Sequence, residues 1–195
     1  QEVLRAAAAA AEAPTVVLAP GKARLFERGN PVVYGGAVGA VLGREPAAGD
    51  PVLVSDRRGR PVGWGVYNPA SMYRVRVLQR AAEAAAHPAA ALDVAEAARW
   101  RVGAAVRRRE ALGLPGGGTD AYRLLHAEAD GLSGVVADVF GPWCVVQAGA
   151  AWAGRHREAL VQAVAEALGG GDGGDASRVL WRPSREAMAA DGVEE

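Results

Sequence analysis

The chain has 195 residues, half of them hydrophobic, and its 22 basic and 22 acidic side chains give a formal net charge of zero. This length allows one large or two small domains with a substantial core. A single cysteine excludes an internal disulfide framework, three histidines leave little for a zinc site, and no apolar run approaches the ~20 residues of a membrane span, so the composition predicts a soluble globular protein without a membrane partner.

Residues 1–15 form a low-complexity, alanine-rich leader that begins with Gln1 rather than Met. Such a segment is typical either of the end of a transit peptide or of a fraying helix, and both interpretations stay open. The first residue indicates a trimmed or excerpted chain.

Residues 16–80 contain several short strands and little helix, which predicts a small β-barrel. A short amphipathic helix is expected from about Lys22 to Arg28, closed by Gly29. The predicted strands begin at Val32, cover Val52–Ser55 and Val62–Tyr67, and end with the stretch "MYRVRVLQR".

Residues 81–89 resemble a linker, and residues 90–195 read as a small α/β domain in which strands pack on helices. The pattern predicts the following elements in order: a helix over Ala90–Leu112, strands over Tyr122–Ala127, Gly134–Phe140 and Cys144–Ala148, a helix over Trp152–Leu168, a strand "RVLWR" and a short helix "PSREAMAADG". The expected fold class of the whole chain is α+β.

Charge is distributed unevenly along the chain. Residues 20–80 carry ten basic and four acidic side chains, whereas residues 81–195 carry eleven basic and sixteen acidic ones. An excess of cations in one part indicates an anionic partner for that part. Lys22 is the only lysine, and arginine suits bidentate binding of phosphate, although arginine usage can equally reflect the composition of the coding sequence.

The candidate nucleic-acid contacts lie in residues 16–80, where cations and aromatic rings alternate. Arg57, Arg58 and Arg60 fall on a predicted turn, and Gly63 and Gly65 would let a ligand backbone come close. The alternative is a solvated polar face over core aromatics, with Trp64 in the core. The residues we expect to contact RNA are Lys22, Arg24, Arg28, Asn30, Tyr34, Tyr67, Asn68, Tyr73, Arg74 and Arg76.

The stretch "LLHAEADGLSGVVADVFG" brings His126, Glu128 and Asp130 together and ends near Asp138. An acid–base site would also need a nucleophile and a pocket, and the sequence shows neither nearby. Asp-Gly supplies the positive φ of a turn, so the stretch predicts a hairpin with a polar tip. We expect no catalytic or metal-binding residue here.

Two other features favour structural interpretations. The glycine-rich stretch Gly169–Asp175 lacks the lysine and the strand-to-helix position of a phosphate loop. Cys144 lies in the apolar stretch "WCVVQA", which predicts a packed thiol and not a nucleophile.

Three stretches, "VVLAPGKARLFERGNPVVYGGAVGAV", "GWGVYNPASMYRVRVLQR" and "AYRLLHAEADGLSGVVADVFGPWCVVQ", resemble the PUA-domain-containing, S-adenosylmethionine-dependent 23S rRNA cytosine-C5 methyltransferases. The resemblance runs from about Val16 to the end of the chain. Within the family, the sequence looks more like the plant and algal branch. Asn30 and Val32 stand where many bacterial members have histidine and tryptophan.

The resemblance implies a PUA domain followed by a central α/β domain, with the Rossmann-like methyltransferase domain, the S-adenosylmethionine site and the catalytic cysteines all outside this chain. It implies large-subunit rRNA as partner, a possible homodimer, and a plastid or mitochondrion as location if the source is plant or algal, otherwise the cytoplasm. We therefore expect an RNA-binding and RNA-positioning portion that is not catalytic alone. The alternative is a structural or dimerisation scaffold with little RNA affinity.

Overall fold

The computed structural model describes residues 1–169 and 174–193, which form two β-sheets and six α-helices in an α+β arrangement. Most of the glycine-rich stretch Gly169–Asp175 lies outside the described residues. No helix in the described ranges is both long enough and apolar enough to cross a membrane.

The first sheet has six strands and curls into a half-barrel. Its elements are α1 (Glu2–Ala10), β1 (Thr15–Leu18), α2 (Ala23–Glu27), β2 (Val32–Tyr34), β3 (Val38–Leu42), β4 (Pro51–Ser55), β5 (Pro61–Tyr67) and β6 (Tyr73–Arg80). The strand order is β2-β6-β5-β4-β1-β3, and only β1 and β4 are parallel. The two edge strands β2 and β3 are joined by a 3₁₀ turn of three residues, Gly35–Ala37, so the sheet must curl to bring its edges together.

The close approach of β5 and β6 explains why positions 63 and 65 are glycine. A Cβ at Gly65 would lie 2.1 Å from the carbonyl oxygen of Arg76, and one at Gly63 would lie 2.6 Å from that of Gln79. The space beside these glycines is therefore filled by the neighbouring strand. The expectation that a ligand backbone approaches there is wrong.

The second sheet has four strands, with helices packed on one of its faces. Its elements are α3 (Val94–Ala111), β7 (Ala121–His126), β8 (Val135–Phe140), β9 (Trp143–Ala148), α4 (Ala151–Arg155), α5 (Arg157–Gly169), β10 (Val179–Pro183) and α6 (Arg185–Ala190). The order is β10-β9-β8-β7, antiparallel except for the β9–β10 pair. The buried sides of α3 and α5 pack against the inward-facing residues of these strands, and Asp93 caps α3 by accepting a hydrogen bond from the amide of Glu96.

The leader and the segment 81–89 both contribute residues to the core. The alanine-rich leader contains α1, whose Leu4 is fully buried against the outer side of the first sheet. In the segment 81–89, Ala84 is buried and Glu83 binds Arg80 and Arg101. One hydrophobic cluster therefore runs from the outer side of the first sheet into the second.

The predicted strands agree with the structure to within a few residues, whereas both long helices differ. The first begins at Val94, not Ala90, and Leu112 past its end is 75% exposed, not in the core. The second is interrupted at His156, which separates α4 from α5.

Candidate nucleic-acid interface

Helix α2 presents cations to solvent. Phe26 is buried in the half-barrel and anchors the helix, whereas Lys22, Arg24 and Arg28 are exposed. Within the described residues these three cations have no hydrogen bond or ion pair to a side chain. Their charge is therefore available to a partner.

The turn between β4 and β5 adds two more cations to this side. Arg60 binds Glu27 of α2 at 2.7 Å and Asp56 at 3.0 Å, which links the turn to the helix. Arg57 and Arg58 remain exposed and line a shallow cavity of about 200 Å³ together with the loop that enters α2. We call the exposed cations Lys22, Arg24, Arg28, Arg57 and Arg58 the α2–turn surface.

Arg57 and Arg58 are absent from the set of RNA contacts that we expected from the sequence. The sequence places them on a turn, but it gives no sign that the turn is tied to α2. That link depends on the Arg60–Glu27 ion pair, whose partners are 33 residues apart.

A second group of expected residues lies where β2 and β6 pair. The rings of Tyr34 and Tyr73 meet edge to face with centroids 5.4 Å apart, and Tyr34 is 47% exposed. Arg74 is half-buried, and its guanidinium donates to the backbone carbonyls of Asn68 and Pro69. This group offers an exposed ring edge and one partly engaged cation.

Arg76 does not share an open face with Arg74, as the alternation of the strand had suggested. Its side chain is buried and donates to Asp191 at 3.0 Å and to the hydroxyl of Ser133 at 2.7 Å. The expected exposure of Arg76 is wrong because residues far along the chain cover this side of β6.

Asn68 is buried at the same junction. Its amide donates to the backbone carbonyl of Asp191 at 2.7 Å and to the carboxylate at 3.1 Å. Asn68 and Arg76 thus join the first sheet to the second half of the chain and have no free surface for RNA.

Asn30 and Tyr67 are half-buried. The Asn30 side chain accepts a hydrogen bond from the amide of Val32, which fixes the entry to β2, and it borders a polar cleft between the two halves. Tyr67 packs against the core of the half-barrel. Both have local structural contacts, and their contact with RNA stays a prediction.

The acidic stretch at β7–β8 is a hairpin, as expected, but its Asp130 is not a solvated tip. Asp130 is buried and accepts hydrogen bonds from Arg108 at 2.6 Å, from Arg109 at 2.7 Å and from the amide of His126 at 2.7 Å. Burial alone raises the pKa of the Asp130 carboxyl, but the bonds from Arg109, His126 and Arg108 outweigh it and hold the pKa below its ordinary value. An ionised, fully bonded carboxylate of this kind anchors α3 to the hairpin.

Glu128 and His126 do not complete an acid–base pair with Asp130. Glu128 accepts a hydrogen bond from the hydroxyl of Ser133 at 2.6 Å, and a ring nitrogen of exposed His126 lies 3.3 Å from the guanidinium of Arg123. These contacts orient the hairpin and the start of β8. They do not place a nucleophile beside a base.

Cys144 is fully buried in β9, where burial raises the pKa of its thiol to about 12. A neutral thiol in an apolar strand packs as a small hydrophobic side chain.

Helix α4 begins directly after β9, at the crossover that leads to the parallel strand β10. The amide of Ala151 at the start of α4 donates to the Asp191 carboxylate at 2.8 Å, and Trp152 is buried there with its indole bonded to Ser133. The Asp191 carboxylate therefore accepts the hydrogen bond that the first amide of α4 donates.

Comparison with known proteins gives a family match for one segment of the chain. A family model described as a PUA-like domain matches residues 16–80, the segment that forms most of the curled sheet. The chain is homologous to "Ribosomal RNA large subunit methyltransferase I": it is 35% identical over 149 residues to the Shigella boydii protein and 34% identical over the same length to that of Escherichia coli strain K12. Both alignments cover 76% of this chain and 35% of the relative, so the chain spans about a third of the length of these relatives.

Solved structures share the fold. A Streptococcus mutans protein assigned as a SAM-dependent methyltransferase matches with a TM-score of 0.60 and 12% identity, over 78% of this chain and 37% of that one. SMU.776, assigned as a methyltransferase and solved in complex with SAH, matches with a TM-score of 0.62 at the same identity and coverage.

Proposed function

We propose that this chain is the RNA-binding and RNA-positioning portion of an S-adenosylmethionine-dependent methyltransferase that modifies a cytosine of large-subunit rRNA at C5. The observation that carries the proposal is the α2–turn surface: a PUA-like domain displays Lys22, Arg24, Arg28, Arg57 and Arg58 to solvent without carboxylate partners in the described residues. The homology to rRNA methyltransferases supports rRNA as the anion.

The mechanism is electrostatic docking. These five side chains neutralise phosphates and release the cations condensed on the RNA, which supplies affinity without sequence information, and guanidinium groups add bidentate hydrogen bonds. The exposed edge of Tyr34 offers a contact for an unpaired base. Methyl transfer itself belongs, in this proposal, to a domain outside residues 1–195.

The test is the salt dependence of binding between the full 195-residue chain and a short rRNA hairpin with a single-stranded loop. Removing one cation that binds a phosphate should lower the slope of log K against log salt by about 0.7–0.9. We expect this change for Arg57→Gln, Arg58→Gln, Arg24→Gln and Arg28→Gln. Arg99→Gln is the matched control, because it removes the same charge from a half-exposed guanidinium that Glu96 and Glu166 already neutralise.

The alternative, a structural or dimerisation scaffold, is favoured by the burial of Asn68 and Arg76 at the junction of the two halves. It predicts weak binding and slopes that do not differ between the surface variants and Arg99→Gln. Such a result would overturn the RNA-binding proposal.

A further inference from the structure

The outward face of the second sheet is not covered by any described element. Side chains alternate along each strand, so Val135, Ala137 and Val139 of β8 point into the core while their neighbours point outward. The same alternation holds in β9. Helices α3 and α5 pack on the inward side.

Large apolar side chains lie on this outward face. Phe140 and Trp143 are directly paired across the β8–β9 hairpin and are 55% and 47% exposed. Leu180 of β10 is 49% exposed, beside half-buried Val145 of β9. We call the surface formed by Phe140, Trp143, Val145, Leu180 and Arg182 the open sheet face.

The two aromatic rings are free to stack. Among the described residues, the ring contacts involve other pairs, and neither Phe140 nor Trp143 takes part in one. Aromatic rings on adjacent strands of a four-stranded sheet are the arrangement with which sheets bind unpaired bases.

The charges of this face suit a polyanion. Arg182 is exposed, and its guanidinium has no ion pair within the described residues. The carboxylate on this side of β8, Asp138, accepts two hydrogen bonds from Arg123, at 2.8 and 3.0 Å, which neutralise it. A phosphate bound at Arg182 therefore interacts with one unpaired cation. The carboxylate of Asp138, on the same face, does not repel it strongly because it is already paired with Arg123.

We propose that the open sheet face is a second RNA-binding surface. Trp143 and Phe140 stack against unpaired bases at one end of the face, and Arg182, which pairs with Gln147 at the other end of β9, binds a phosphate further along the RNA strand. This inference rests on the proposed function, because it takes RNA as the partner. It adds a base-contacting site in the second half of the chain to the phosphate-binding α2–turn surface of the first.

The test distinguishes binding of the RNA bases from binding of the phosphate backbone. The full chain is titrated by fluorescence anisotropy with a labelled 12-nucleotide single-stranded RNA and with an abasic oligonucleotide of the same length. Stacking on one base contributes enough that its loss weakens binding by about tenfold. We expect Trp143→Ala and Phe140→Ala to lose about tenfold in affinity for the RNA and to bind the abasic strand as the wild type does.

Conservative variants distinguish stacking from apolar contact. Trp143→Phe keeps a ring and should retain affinity to within about threefold, whereas Trp143→Leu keeps apolar surface without a ring and should behave as Trp143→Ala. Arg182→Gln should lower the salt slope on both strands by about 0.7. Because these side chains are exposed, we expect circular dichroism and the unfolding midpoint to stay unchanged.

Two results would overturn this inference. Wild-type affinity of Trp143→Leu or Trp143→Ala for the RNA would exclude stacking. A concentration-dependent dimer in analytical ultracentrifugation that Trp143→Ala dissociates would identify a second copy of the chain as the occupant. If the inference alone fails, the α2–turn variants still weaken binding to both strands; if the proposed function fails, neither strand binds.

Discussion

The guanidinium of Arg76 in β6 donates to the carboxylate of Asp191 at 3.0 Å, and both side chains are buried although 115 residues separate them. Asp191 also accepts hydrogen bonds from the Asn68 side chain and from the amide of Ala151. One carboxylate thus joins the first sheet, the start of α4 and the end of α6.

Removing this carboxylate should destabilise the protein strongly. Asp191→Ala leaves the buried Arg76 charge with only the more distant Glu128 carboxylate, 3.8 Å away, and losing one member of a buried pair costs about 3–5 kcal/mol. Urea unfolding of the purified chain measures the change. The double variant Arg76→Met with Asp191→Leu should recover the part of the loss that comes from the unpaired Arg76 charge, but not the part that comes from the hydrogen bonds of Asn68 and Ala151 to Asp191. Glu96→Gln, which breaks a half-exposed pair with Arg99, is the control and should cost at most about 0.5 kcal/mol.

Asp130 should give the protein an acid-sensitive contribution to stability. Its folded-state pKa lies below the unfolded value of about 3.9, so the contribution is present above that pH and is lost as the pH falls through the folded pKa. At pH 7 we expect Asp130→Asn to lower the free energy of unfolding by about 2–3 kcal/mol, through weaker bonds to Arg108 and Arg109. The difference from wild type should shrink below about pH 4. Unfolding curves from pH 3 to 8 measure it, with exposed Glu158→Gln as control; a difference independent of pH would contradict the assigned role.

The pairing of β5 with β6 should depend on Gly65. Its replacement by alanine puts a methyl group where the carbonyl oxygen of Arg76 now lies, so β6 must shift, at a cost of about 2 kcal/mol or more. Gly36→Ala is the matched control, because nothing lies within 4 Å of a Cβ there and its backbone is not left-handed. It should leave the unfolding midpoint unchanged or raise it slightly. Equal effects of the two substitutions would show that β5 and β6 are not so close.

The thiol of Cys144 should be unreactive in the folded protein. A thiol with a pKa of about 12 does not ionise at pH 8, and because Cys144 is fully buried, a reagent in solution cannot reach it. Titration with a disulfide reagent should detect no thiol in buffer and one per chain in denaturant, since the sequence has a single cysteine. Rapid labelling without denaturant would contradict the burial of β9.

The sequence predicts local structure here better than it predicts which surfaces are exposed. Alternation in "MYRVRVLQR" correctly places Arg74 and Arg76 opposite Val75 and Val77, but it cannot indicate that residues beyond 130 cover Arg76. Likewise, Asp-Gly predicts the left-handed Gly131, yet the arginines that bury Asp130 come from α3, about 20 residues earlier. Exposure depends on contacts distant in sequence, and these decide which cations are left for a ligand.

In helix α2, by contrast, exposure could be predicted from the local sequence. Its exposed cations follow from a short amphipathic pattern with Phe26 as the buried anchor, so Lys22, Arg24 and Arg28 could be proposed before the fold was known. The open sheet face could not, because the outward side of β8 and β9 is defined only once α3 and α5 cover the inward side.

The shared core bears on how the protein can be divided for study. Trp64 and Leu78 belong to the curled sheet by sequence, yet they are buried in the cluster that also contains Leu4, Ala97 and Leu132. Truncation after Arg80 would expose the apolar side chains of this shared cluster to solvent. The isolated first sheet would then tend to self-associate, and its binding would not represent that of the intact chain. Deletions that remove Leu4 or Asp191 would also expose buried groups, so binding is better tested with point substitutions in the intact chain.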